Sequence, residues 1–349
     1  MPTSRALNGY TARNADLIYL SVLGLFITVS APHTWGAVTR FLYLHGADID
    51  VYAAAETASS LSWAANGLAV FWTLILWNRN SSSTKVLVRC IGLIPVTFLA
   101  FADGTGVLSR IAQLALLVTL TATVCAHHRV TPEMLGPQSP KCGSSARSAL
   151  ATVACAFALL CFSNPLSALI TTLGAPVPPT DPTTPSALGG LPQFVAQIVW
   201  SATVEEFVVT VAVVALLASA KRPLWECLLV SALMRTIPHL YLGLPALAML
   251  VAGAAMALLY YQHRQVLPLV VAHIAYDLLT LLPVQYANMT MQLTVGVLVV
   301  SALLLCVPAA LGSPGMGAGE IPRPAQAAEC LALPPKMDTP SSAGDGAPR

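Results

Sequence analysis

The chain has 349 residues, of which 56% are hydrophobic and 9% charged, with a mean hydropathy of +0.72 and a formal net charge of +2. A soluble domain carries about 25% charged residues, so these figures exclude a soluble protein with a single anchor and describe a polytopic membrane chain. The nearly even charge balance contains no basic run of the kind that binds nucleic acid.

Met1–Asp16 is polar and no small-residue cleavage site follows the first apolar run, so no cleavable signal peptide is expected. Ten apolar segments follow in order: 17–38, 61–77, 86–102, 107–126, 149–173, 192–218, 224–241, 245–261, 266–282 and 291–311. Most reach the ~17–25 residues that cross a bilayer. The first is the weakest, because His33 and Arg40 interrupt it. The expected fold class is all-α, a polytopic transmembrane helix bundle of about ten spans.

Orientation follows from the basic residues. With the amino terminus in the cytoplasm and the spans alternating, 14 of the 17 Lys and Arg residues fall on inside segments. The exceptions are Arg40, Arg110 and Arg235. The expected location is therefore the cell membrane, multi-pass, with a cytoplasmic amino terminus. None of the eight cysteines lies in an external segment, so no disulfide framework is expected, and no CxxC or Cys/His cluster points to zinc or haem.

The connectors divide the chain. Residues 1–148 read as four spans and a basic cytoplasmic linker (127–148). Residues 149–191 read as a fifth span and a proline-rich external loop, with Pro176, Pro178, Pro179, Pro182 and Pro185. Residues 192–311 form a second membrane block, and 312–349 read as a disordered cytoplasmic tail. In the eighth segment, Gly253 and Ala257 lie four apart and read as a close helix-packing face.

Three polar signatures stand in the second block: Glu205-Glu206, Arg235 with His239, and His273 with Asp277. Ionisable groups in hydrocarbon cost roughly 2.5–3.5 kcal/mol each on insertion scales, so six of them in apolar segments need a reason. The intervals from Glu205 to His239 and from His239 to His273 are 34 residues each, which lets different helices bring them to one pocket. Successive α-helical positions point about 100° apart, so one of Glu205 and Glu206 is expected to face the pocket while the other pairs elsewhere. Arg235 needs an anion, and Glu205, Glu206 and Asp277 are the candidates. His273 and Asp277, four apart, suit a carboxylate orienting an imidazole or a shared metal. A glutamate and two histidines can hold and deprotonate water and polarise a carbonyl, as peptide hydrolysis requires. The plainer readings are structural ion pairs, or an ion relay in a transporter; no internal repeat supports the latter.

Glu205-Glu206, His239 and His273-xxx-Asp277, with the run Leu267-Pro-Leu-Val-Val-Ala-His273, resemble the CPBP (Abi, or type II CAAX prenyl endopeptidase) family of intramembrane proteases over about 193–282. The resemblance implies an intramembrane endopeptidase acting on a membrane-associated peptide or protein. Glu205 would activate water with His239, His273 and Asp277 would stabilise the oxyanion, and Glu206 and Arg235 would support them. It implies no obligatory cofactor, although Glu205, His239, His273 and Asp277 are also acceptable zinc ligands. Two positions depart from the family pattern. Its arginine after Glu-Glu falls on Thr210, and the aromatic of its second motif falls on Arg235. These departures are read as linked, the cation having moved to the next span to pair with Glu206. The alternative is an inactive relative serving as a membrane scaffold or immunity protein.

Overall fold

A computed structural model describes residues 4–80, 83–102, 106–130, 135, 145–173 and 190–279, and these residues are all-helical. The helices are α1 (Ser4–Leu44), α2 (Val51–Asn80), α3 (Ser83–Ala102), α4 (Val107–His127), α5 (Ser145–Thr172), α6 (Leu191–Ser219), α7 (Leu224–Thr236), α8 (Ala248–His263) and α9 (Val266–Leu279). Most of the 131–144 stretch, the proline-rich 174–189 stretch, the expected tenth span (291–311) and the tail (312–349) lie outside the described residues.

Six stretches are long and apolar enough to cross a membrane: Ala15–Tyr43, Tyr52–Arg79, Val107–His127, Ser148–Thr172, Leu191–Ser219 and Leu244–His263. Val88–Phe101 and Val266–Leu279 are apolar but shorter. The expected count of about ten is therefore not reached among the described residues. The seventh segment shows why. Its α-helix stops at Thr236, giving 13 residues, or about 20 Å at 1.5 Å per residue, against a hydrocarbon core of about 30 Å. Pro238 removes a backbone donor, and the chain continues as 3-10 turns, Ile237–Leu242 and Leu244–Leu247, joined at Gly243 with φ +71°.

The first segment, by contrast, is a continuous 41-residue helix. Its buried positions Ile18, Val22, Leu25 and Val29 recur at helical spacing, while Leu17, Leu20, Leu23 and Ile27 are exposed as a lipid-facing row. His33 and Arg40 do not break it because their side chains meet aromatic rings of the bundle, Trp200 and Tyr241. The start of α2 is fixed by Asp50, whose carboxylate accepts from the backbone N–H groups of Tyr52 (2.9 Å) and Ala53 (3.1 Å).

The centre of the bundle is α6. Every residue from Val208 to Leu217 is buried, with α1, α4, α7, α8 and α9 packed around the rod. A helix apolar on all sides belongs inside, and this one carries Glu205 and Glu206. Its neighbours α7 and α8 approach closely. A Cβ on Gly253 would lie 3.0 Å from Ala232 Cα and 3.3 Å from Arg235 Cδ. We expect Gly253→Val to lower the thermal midpoint of the protein in detergent, by a cost of about 1–3 kcal/mol. Gly67→Ala, placed in open space with nothing within 4 Å, should leave the midpoint unchanged.

Candidate active site

The local sequence Val204–Ala212 winds as a π-helix within α6. Its i→i+5 bonding is looser than the α-helical turn, so Glu205 and Glu206 point less than about 100° apart. Both carboxylates meet one guanidinium, and of the two Glu205 alone keeps an oxygen toward the open part of the site while Glu206 pairs inside the bundle. Arg235 Nε donates to Glu205 Oε2 at 3.2 Å, and Arg235 Nη2 donates to Glu206 Oε1. Side chains from α7 accommodate the wider turn, with Ser231 Oγ donating to the Val209 carbonyl at 2.9 Å. Thr210, where the family pattern has arginine, is fully buried and donates through Oγ1 to the Glu205 carbonyl at 3.2 Å.

The two glutamates differ in environment. Glu206 is fully buried. Its Oε1 also receives His273 Nδ1 at 2.8 Å, a separation that requires a proton between imidazole and carboxylate. Arg235 Nη2 lies 3.3 Å from the same nitrogen, and with Nδ1 protonated this is an approach of two donors. Glu206 Oε2 and Arg235 Nη1 are buried without a hydrogen-bond partner among the described residues, a polar pair suited to ordered water. Glu205 is more open, its side chain 19% exposed. Its free oxygen, Oε1, accepts from Ser201 Oγ at 3.3 Å and stands 3.9 Å from His239 Nε2.

His239 lies in the 3-10 turn rather than on the α-helix. Its Nδ1 bonds the Arg235 carbonyl at 2.8 Å, so Nδ1 carries the proton and Nε2 is left as an acceptor directed at Glu205. Across the site, His273 Nε2 stands 3.7 Å from Asp277 Oδ1, and the Asp277 side chain is 25% exposed. The structure thus brings together all six residues singled out in the sequence, with Arg235 between the carboxylates. It adds Ser201 and gives Thr210 a bond to the Glu205 carbonyl. Ser201 sits one helical turn before Glu205, and that spacing was its only signal in the sequence.

Among the described residues, no three His, Cys, Asp or Glu side chains come together so as to hold a metal ion. Glu205 Oε2 and Glu206 Oε1 accept from Arg235, and His273 Nδ1 is committed to Glu206.

A buried ion pair that loses one partner costs about 3–5 kcal/mol, because a lone charge remains. We expect Arg235→Met to destabilise the protein by about that amount in thermal or denaturant unfolding. Combining it with Glu206→Gln should cost less than the two single changes added together.

In comparisons with known proteins, residues 187–279 match the model of the family described as type II CAAX prenyl endopeptidase Rce1-like. No curated protein and no solved structure matches the chain. The matched segment begins just before α6, ends with α9 and contains every residue of the site. With its membrane-length helices, the chain is a multi-pass membrane protein whose residues 187–279 are similar to the type II CAAX prenyl endopeptidase Rce1-like family.

Proposed function

We propose that the protein is an intramembrane endopeptidase that hydrolyses a peptide bond of a membrane-associated peptide or protein. The observation that carries this reading is the facing of Glu205 Oε1 and His239 Nε2 across 3.9 Å, both side chains about one-fifth exposed. That gap is too long for a direct bond and admits a water bonded to both. The two oxygens of Glu205 divide the work: Oε2 is tied to Arg235, and Oε1 is left for the water.

In the proposed reaction Glu205 takes a proton from the water while His239 Nε2 accepts its second hydrogen bond. The water oxygen attacks the carbonyl carbon, and the resulting oxyanion is met by His273 protonated at Nε2, with Asp277 beside it. The glutamate proton then passes to the amide nitrogen, the carbon–nitrogen bond breaks, the water's second proton, held toward His239 Nε2, passes to the departing amine, and a carboxylate and an ammonium group leave. Glu206 holds His273 through Nδ1 and so fixes which nitrogen faces the pocket. Arg235 keeps both glutamates charged and in place. No residue of this scheme needs a bound metal. The protein would work in the cell membrane with its amino terminus in the cytoplasm.

A second reading has one observation in its favour. A carboxylate already tied to a guanidinium is a weaker base, and Arg235 holds Glu205 at 3.2 Å. On that reading the chain binds a membrane partner as a scaffold or immunity protein and does not cleave it.

The test is proteolysis of a membrane-anchored peptide by purified protein in lipid. Glu205→Gln, His239→Ala and His273→Ala should each lower kcat/KM by about 100-fold or more, assayed below the reduced thermal midpoints expected of Glu205→Gln and His273→Ala, and a chelator should leave the rate unchanged. Asp277→Asn, which removes a negative charge beside the oxyanion, should retain activity. A parent that binds the peptide and cleaves nothing would establish the scaffold reading.

A further inference from the structure

The helix that carries His273 and Asp277 is held from outside the matched segment. α9 has 14 residues, about 21 Å at 1.5 Å per residue. It is shorter than the hydrocarbon core of about 30 Å, so the bilayer alone does not fix it. Among the described residues α9 rests chiefly on α5, which ends before residue 187. Two hydrogen bonds mark that seam. Just before α9 begins, Gln265 Nε2 donates to Ser148 Oγ at 3.1 Å, and near its end the Tyr276 hydroxyl donates to Asn164 Oδ1 at 2.8 Å. Tyr276 and Leu279 also pack on Ala158 and Cys161 of α5. The same helix packs against the Leu244–Leu247 turn, which follows the turn of His239.

Asn164 lies within Ser148–Thr172, a stretch of membrane length, where an amide needs a partner. Its turn of α5 is already weakened. Pro165 follows it and lacks a backbone donor, and Ser163 Oγ donates to the Leu160 carbonyl at 2.6 Å. An interhelical hydrogen bond adds little stability in a membrane, so the use of this one is directional. Tyr276 is the residue before Asp277, and His273 lies one turn earlier on the face of Asp277. A phenol tied to α5 therefore fixes the rotation of α9, and with it the direction of His273 and Asp277. A rotation of about 10° moves a side-chain tip about 6 Å from the axis by about 1 Å, and a misplacement of that size costs up to about 100-fold in rate. The bond of His273 Nδ1 to Glu206 holds one point of α9. The Tyr276 bond holds a second, against a different helix.

We propose that Asn164 and Tyr276 are a positioning pair: their bond sets the rotation of α9 and so aims His273 Nε2 and Asp277 at the space beside Glu205 and His239. This proposal rests on the peptidase reading above. It gives the membrane block that precedes the matched segment a part in the reaction. That part runs through one contact of α5 and acts by way of His273 and Asp277.

The test uses the full chain in nanodiscs. Cleavage of a membrane-anchored peptide, thermal unfolding and nuclear magnetic resonance of isotope-labelled histidine are read on the same samples. Asn164→Ala and Tyr276→Phe each remove the bond, and the second keeps the ring on Ala158 and Cys161. Each should lower kcat about tenfold, with KM within about twofold of the parent's. The double variant should be no slower than the slower single, because one interaction is lost. The His273 ring resonances, identified by their loss in His273→Ala, should shift in both single variants while the thermal midpoints stay at the parent's. Asn164→Asp, which keeps an acceptor oxygen in place, should restore both the rate and the resonances. Resonances of His273 unmoved in both variants would overturn the proposal, as would a rate loss that follows a fall in midpoint or appears in KM alone. A parent that cleaves nothing, while both variants shift His273, defeats the peptidase and leaves the pair as what fixes α9. A parent that cleaves, with both variants matching its kcat, defeats the pair and leaves the peptidase.

Discussion

One guanidinium holds the site together. Arg235 is 2% exposed, and its charge is met by Glu205 and Glu206 from the central helix, with His273 of α9 against it. In an interior without water, none of these groups is tolerable alone. Together they satisfy one another, and in doing so they fix the relative placement of α6, α7 and α9. The same contacts sort the two glutamates. Glu206 is enclosed and serves to hold His273, while Glu205 keeps one oxygen facing the open part of the site. Chemistry and architecture therefore depend on one set of bonds.

The π-helical stretch makes that set possible. Glu205 and Glu206, adjacent in the chain, both meet Arg235. The wider winding of Val204–Ala212 lets both reach it, and Ser231 and Thr210 bond backbone carbonyls of the loosened turn. Such insertions are found often at functional sites. Here its use is geometric: it turns adjacent residues into two ligands of one cation.

Much of this was legible in the sequence, for a physical reason. Charge in hydrocarbon is rare, so Glu205, Glu206, Arg235, His239, His273 and Asp277 stood out against apolar segments, and the second membrane block was recognisable from them. The π-helix was not legible. Val-Glu-Glu-Phe-Val-Val-Thr-Val-Ala has the same apolar pattern whichever way it winds, and tertiary contacts with α7 decide the outcome. The true length of α7 was half legible. Pro238 marked a weakness, but hydropathy ran on to Tyr241 and concealed the change to a 3-10 turn. The role of α1 was concealed by distance along the chain. His33 and Arg40 looked like flaws in a span until their contacts with Trp200 and Tyr241 gave them a place.

From position 235 on α7 the cation reaches both glutamates of α6 and so bridges two helices. That matters for α7 in particular, since its 13 α-helical residues offer too little apolar length to be anchored by the bilayer alone. Its hold on the bundle comes from the ion pairs of Arg235, the Ser231 bond to Val209 and the close approach of Gly253. Thr210, small, neutral and buried, donates to the Glu205 carbonyl of the same helix. The Arg235 cation thus supports more than the charge balance of α6: it also seats α7 and stands against His273 of α9.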